Sequence, residues 1–424
     1  MQEERLLLIK TGRIIDPGPS SESASRGVKE RSGEGEGRFS AGDELFIAGE
    51  SIAARAGDLD CGDLPGLEVI DARDKLVVPG FIDSHVHISG GGGEDGFASR
   101  TPPLNLDQAI RGGVTTAVGC LGTDGTTRTM PDLLARARAL IEEGITVHIY
   151  TGSYQFPVRT LTGSIADDIV YINEIIGLGE VAIADHRSSH PDLDEFIRAA
   201  SEARRGGMLS GKKGLINVHM GSGQSRPGFS FLERAVKESE IPIDQFLPTH
   251  SSRSRQVFEQ GLKFARRGGW LDFTASSPNS SENEGGSGSG GDSGPNGVEI
   301  LERIEAAGLD FSRITFSSDG QGSLPDFDSE GNLRGLKVGQ VSSLYRQLRS
   351  IVQNSDYELE QILQLITSNP AHILGLDSRK GRLLPGYDAD IVMLDPESLE
   401  ITDVIARGRV MMRGGEAVRT GTFS

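Results

Sequence analysis

Between Pro79 and about Asp377, short apolar runs of strand length alternate with stretches of helical periodicity, and that alternation points to folds built on a parallel sheet. The apolar runs are Phe81–His87, Thr115–Leu121, Thr146–Tyr154, Glu180–Asp185, Leu215–His219, Phe246–His250, Leu271–Ala275 and Ile314–Ser318. Helical stretches such as Met130–Glu143, Asp192–Arg205 and Arg255–Arg267 fall between them. Eight such runs are the complement of a TIM (β/α)8 barrel, so an α/β fold of that kind is expected. In such a barrel the chemistry sits at the C-terminal ends of the strands.

The two chain ends read differently. Leu6–Ile15, Leu45–Ala54 and Gly66–Ile70 at one end, and Ala389–Leu394, Ile401–Ala406 and Arg409–Met412 at the other, are β-like runs. A small β-sandwich domain is therefore expected from residues 1–78 and 383–424, assembled around a barrel spanning 79–382. Two stretches, Pro17–Gly42 and Ser276–Gly297, are rich in Ser, Gly and Glu. They carry too little apolar surface to order themselves and read as a loop and a flexible insertion.

Composition narrows the partners. Asp and Glu number 61 against 43 Lys and Arg, a formal charge of −18, which argues against nucleic acid or an anionic membrane. Met1-Gln2-Glu3-Glu4-Arg5 lacks the basic start and apolar core of a signal peptide, and no apolar run reaches bilayer length. A cytoplasmic location is expected. The two cysteines, Cys61 and Cys120, form no Cys-x-x-Cys pair and read as free thiols.

Chemistry concentrates at the predicted strand ends. Residues alternate sides along a strand, so His85 and His87 in Pro79-Gly80-Phe81-Ile82-Asp83-Ser84-His85-Val86-His87 point the same way and converge. Alone, that pair could equally be two core histidines. His219 and His250, however, end two further strand runs, and Asp319 ends the eighth. Four imidazoles and a carboxylate at one rim suffice for two metals of the zinc type. Two nearby metals need a bridging anion, and the fourth strand should supply it. Because no lysine lies between Lys75 and Lys212, a carboxylated lysine is excluded there and Glu180 is the available carboxylate. Glu94, after the run Gly90–Gly93, and Arg187 and Arg253, each just past a strand end, add the charges that would suit a small zwitterion.

With these residues assembled, nearly the whole chain resembles the amidohydrolase superfamily, and within it the isoaspartyl dipeptidases. The matching stretches are Pro79–His87 with the glycines and Glu94, Thr151-Gly152-Ser153-Tyr154, Asp185-His186-Arg187-Ser188, Leu247-Pro248-Thr249-His250 and Ser317-Ser318-Asp319-Gly320-Gln321-Gly322-Ser323. The resemblance implies a binuclear zinc site: His85 and His87 on one ion, His219 and His250 on the other, Glu180 bridging, Asp319 touching the first. It implies a bridging hydroxide that attacks the amide, with Asp319 as general base and acid and Tyr154 polarising the carbonyl. Glu94 and Gly92 would receive the substrate's ammonium end, and Thr123, Arg187, Arg253 and Ser323 its carboxylates. A homo-oligomer acting on small dipeptides is the corresponding expectation. The family's usual bridge is a carboxylated lysine, and here it is a glutamate. An N-acyl-amino-acid or cyclic-amide hydrolase on the same barrel, or an inactive scaffold, remains open at this stage.

Overall fold

The computed structural model describes residues 5–18, 42–221, 227–275, 294–327 and 333–422. Residues 19–41 and 276–293, which hold most of the two low-complexity stretches, lie outside them.

The N-terminal strands are β1 (Leu6–Ile14), β2 (Glu44–Ala48), β3 (Ser51–Ala56) and β4 (Leu67–Pro79). Two expectations need correction here. The single run Leu45–Ala54 is a hairpin, because Gly49 adopts φ +65° and turns the chain between β2 and β3. The run expected to stop at Asp71 continues to Pro79, its charged residues alternating with buried Ile70 and Ala72. After the barrel come β15 (Ile391–Leu394), β16 (Ile401–Ala406), β17 (Arg409–Arg413) and β18 (Glu416–Ala417). The eight terminal strands form one mixed sheet in the order β18-β17-β16-β15-β4-β1-β2-β3. It encloses a core of its own, including Ile9, Leu45, Ile47, Ile52, Val77, Ile391 and Met393.

Between these ends lie β5 (Phe81–Val86), β6 (Val114–Gly119), β7 (Thr146–Thr151), β8 (Ile175–Ile183), β9 (Leu215–Met220), β10 (Phe246–Thr249), β11 (Leu271–Thr274) and β12 (Ile314–Ser317). They correspond one for one to the eight predicted runs. β5 to β10 pair in sequence order as a parallel sheet, and β11 pairs with β12. The ring closes through the hydrogen bonds Ser251 N to Asp272 O at 3.1 Å and His87 N to Gly320 O at 2.8 Å. Helices such as Met130–Glu143, Leu193–Ser210 and Arg255–Arg266 pack outside. Inside, Ile82, Val118, Tyr150, Ile176, Leu215 and Leu247 each come from a successive strand, with Ala371, Ile373 and Leu374 packed against them. A hairpin of β13 (Ser323–Phe327) and β14 (Leu333–Val338) follows the eighth barrel strand.

One polar hub ties the last strands together. Asp272 of β11 is fully buried and accepts from Thr249 Oγ1 of β10 at 2.7 Å, and from Thr315 Oγ1 at 2.7 Å and Ser317 Oγ at 2.6 Å of β12. Replacing it with Ala leaves three buried hydroxyls without their acceptor, at about 1–3 kcal/mol for each group left unpaired. Asp272→Ala should therefore lower unfolding stability by about 3 kcal/mol or more in a denaturant titration. Asp272→Asn, which keeps an acceptor oxygen, should lose clearly less.

Candidate metal centre

The end of β5 and the residue that follows it supply His85 and His87, both buried and both turned toward Glu180, as alternation requires. His219 lies near the end of β9, and His250 and Asp319 fall just beyond β10 and β12. The backbone holds His250 at φ +60° and Asp319 at φ +53°, a left-handed conformation that costs a non-glycine residue about 1–3 kcal/mol. Such geometry persists only where the surroundings over-determine it.

Glu180 is the centre of the arrangement. It is fully buried in β8, a strand that begins at Ile175 rather than at Glu180 itself, so the carboxylate sits deep in the strand. Oε2 lies 3.3 Å from His85 Nε2 and 3.9 Å from His87 Nε2. Oε1 lies 2.7 Å from His219 Nδ1 and 3.3 Å from His250 Nε2. Asp319 Oδ1 approaches His87 Nε2 at 3.1 Å and His85 Nε2 at 3.7 Å.

Outer partners fix which imidazole nitrogen carries its proton. His85 Nδ1 faces Asn217 Oδ1 at 3.2 Å, His250 Nδ1 faces Thr274 Oγ1 at 2.6 Å, and His219 Nε2 faces Asp185 Oδ2 at 3.0 Å. A neutral ring protonated on the outer side presents its lone pair inward. Those inward nitrogens then meet carboxylate oxygens with no proton between them, an arrangement that calls for a cation. The electrostatics show the surplus of anionic charge around these rings that a metal ion would offset. Burial pushes Glu180 up, but the His85 and His219 rings outweigh it and hold the carboxyl well below its ordinary range. Burial opposes charge on His85, yet Cys120 and Glu180 hold it well above the usual histidine value, and Cys120 and Asp319 do the same for His87. Burial, joined by the nearby His219 and Arg253, outweighs Glu180 and Asp319 and takes His250 down to about 3, so it is neutral. Glu180 Oε2 and Asp319 Oδ1 are buried without a hydrogen-bond donor. The donor set therefore fits divalent metal, in two groups that share Glu180: His85, His87, Cys120 and Glu180, and Glu180, His219 and His250.

Around this core the structure gathers most of the remaining candidates. Tyr154 places its hydroxyl 2.7 Å from His219 Nδ1, and burial with the nearby Glu180 holds that phenol well above its ordinary value. The Arg187 guanidinium lies 5.3 Å from the centre of the Tyr154 ring and its Nη1 is 3.5 Å from Glu94 Oε1. Gly92, at φ +70°, sits where an added Cβ would come within 2.3 Å of Ser99 O, and that position is 3.3 Å from the Cβ of Ser323. Thr123 is half-buried on the loop after β6, and among the described residues no hydrogen bond or ion pair joins it to the others.

Two residues of the centre were not singled out from the sequence. Asp185 accepts from Arg187 N and Nε, both at 2.9 Å, and from Arg187 Nη2 at 3.1 Å, while Arg253 Nη1 lies 3.4 Å from its Oδ2. With its contact to His219, it holds both arginines and that imidazole in a single network. Burial pushes Asp185 up, but hydrogen bonds from His219 and Arg187 hold it far below the carboxylate range. Cys120, expected only as a free thiol, is indeed unpaired, but it lies against His85 and His87. Its place directly after β6, at the same rim as the histidines, was the available signal.

Comparison with known proteins points to the amidohydrolases. Profiles described as the amidohydrolase family match residues 68–140 and 294–414. A crystal structure of a β-aspartyl dipeptidase from Fervidobacterium islandicum AW-1, in complex with a β-Asp-Leu dipeptide, is 40% identical with a TM-score of 0.84, covering 98% of each chain. A dihydroorotase of Pelobacter propionicus is 29% identical over 54% of this chain, which spans about half, 48%, of that relative's length. A D-hydantoinase (dihydropyrimidinase) from Thermus sp. is 16% identical with a TM-score of 0.65 over 98% of this chain and 97% of its own, a likeness of fold.

The Asp185 network makes a specific expectation. Asp185→Asn removes the outer anchor of His219 while leaving every inward donor in place, and loss of such an anchor typically weakens metal binding about 10- to 100-fold. Competition with a chelator, read by metal analysis of the desalted protein, should show that loss. Unchanged retention would make Asp185 irrelevant to the centre.

Proposed function

The chain belongs to the β-aspartyl dipeptidase family of the amidohydrolases, and on that premise we propose that it hydrolyses β-aspartyl (isoaspartyl) dipeptides at a centre of two zinc ions. The observation that carries the reading is Glu180, one carboxylate whose two oxygens face two separate pairs of imidazoles. His85 and His87, with Asp319 beside them, would hold one ion, His219 and His250 the other, and Glu180 both. When bound, such ions polarise the scissile carbonyl and lower the pKa of water.

The chain's own residues do the rest. Burial raises Asp319, but the hydrogen bond from His87 and the charges of His87 and His85 hold it down to about 2, so it is ionised at neutral pH. As a carboxylate it takes the proton of the attacking water and passes it to the leaving amine. Tyr154 keeps its phenolic proton and donates it toward the negative charge that develops on the carbonyl oxygen. A β-aspartyl dipeptide carries one ammonium and two carboxylates. Glu94 and Gly92 receive the ammonium end, and Arg187, Arg253, Ser323 and Thr123 the carboxylates. Glu94 and Arg187 now face each other at 3.5 Å, and a zwitterion would exchange their mutual pairing for its own.

A cyclic-amide hydrolase would use the same imidazoles and Glu180 but would leave Glu94, Arg187 and Arg253 without matching charges. An inactive scaffold should have lost ligands, and His85, His87, Glu180, His219, His250 and Asp319 are all present. A charge of −18 argues against nucleic acid or an anionic membrane as partner. Among the described residues no helix is long and apolar enough to cross a bilayer. Within the same reading the protein is a cytoplasmic homo-oligomer.

The test is a comparison of β-linked with α-linked aspartyl-leucine. The β-linked substrate should be strongly preferred, and Arg253→Ala should cut its kcat/KM by about 100-fold, an estimate kept below the full cost of an unpaired buried charge because this side chain is partly exposed. Metal content should not change with that substitution. Equal rates on the two linkages would overturn the assignment. Activity should also survive removal of carbon dioxide, since Glu180 is a permanent carboxylate; recovery of a lost activity on adding bicarbonate would contradict its bridging role.

A further inference from the structure

Cys120 has no part in the reading above, yet it is completely buried beside two residues that reading assigns to metal. Its Sγ lies 3.6 Å from His85 Nε2 and 3.7 Å from His87 Nδ1. The donor atoms of His85, His87, Cys120 and Glu180 all fall within 4.8 Å of one another. On a tetrahedral zinc, sulfur at about 2.3 Å and nitrogen at about 2.0–2.1 Å stand about 3.6 Å apart, and nitrogen and oxygen about 3.3–3.4 Å. The Cys120–His85 separation of 3.6 Å matches the first of these edges, and the His85–Glu180 separation of 3.3 Å the second.

A buried thiol that merely fills space would have no need of these spacings, and a second observation points the same way. Glu180 Oε2 is fully buried, has no hydrogen-bond donor, and belongs to the same group of four donor atoms. An anionic oxygen without a donor, set among two imidazoles and a sulfur, is what a shared cation would satisfy.

We propose that Cys120 is itself a metal ligand, binding as a thiolate the ion held by His85 and His87. The inference rests on the metal-dependent reading above and adds to it. The sulfur–metal bond forms as the thiol proton is released to water, so no oxidant or reductant is involved. The two sites then become unequal. His85, His87, Cys120 and Glu180 offer four donors, with Asp319 beside them, whereas Glu180, His219 and His250 offer three and leave a position open. Thiolate also favours zinc over harder ions such as magnesium or manganese on the first side.

Cobalt substitution tests this directly. The metal-stripped full-length protein is titrated with Co2+, and uptake by metal analysis is followed together with the absorption spectrum. A near-ultraviolet thiolate-to-cobalt charge-transfer band that grows with uptake is the expected result. Cys120→Ser should lose the band and bind one ion at least about tenfold more weakly, while Cys61→Ser should keep the band. Cobalt bound with no charge-transfer band overturns the role of Cys120 and leaves the metal-dependent reading standing. Failure to bind cobalt at all overturns that reading and this inference with it. The wild-type spectrum decides even if Cys120→Ser does not fold.

Discussion

A single buried carboxylate organises this molecule. Glu180 is an anion placed where water cannot solvate it, and its two oxygens face imidazoles carried by β5, β9 and β10. An isolated charge at such depth is prohibitive, so the surrounding residues are arranged to answer it. The histidines converge on it from strand ends, their outer nitrogens are fixed by Asn217, Thr274 and Asp185, and Tyr154 packs over His219. The barrel is the frame that keeps these groups together, and its closure through Asp272 and Gly320 fixes the positions from which they point.

The outer layer is organised by a second anion. Asp185 pairs Arg187 in a fork, reaches Arg253 and anchors His219, so the groups that would recognise substrate charge share a side chain with the groups that would hold metal. On the proposed roles, a shift of Arg187 toward a ligand would be passed through Asp185 to the imidazole it orients.

The barrel was legible in the sequence because strands buried on both faces read as apolar runs, as in β5 and β8, whose residues are all buried. Boundaries were read less well where glycines break the run. Gly177 and Gly179 obscured the start of β8, and Gly49 hid a hairpin within Leu45–Ala54. The charged stretch in β4 concealed a strand with one exposed face. The histidines and Asp319 were found because they sit at strand ends, where sequence position and spatial position coincide. Asp185 and Cys120 matter through convergence of separate strands and loops, which spacing along the chain does not report. For Cys120 the spacing of cysteines carries no signal, since the groups beside it are imidazoles.

The sheet made from both chain ends has a bearing on assembly. β4 lies between β1 and β15, and its last residue, Pro79, is paired with Ile391 and separated from β5 by Gly80 alone. The strand that delivers His85 and His87 is therefore rooted in a sheet whose other half comes from strands more than 300 residues further along the chain. Without β15, β4 presents an open edge, and contacts between residues far apart in sequence, such as Pro79 with Ile391, seat the strand that carries His85 and His87. The terminal sheet is in this way the base of the metal centre, and loss of β15 would loosen the centre from that base.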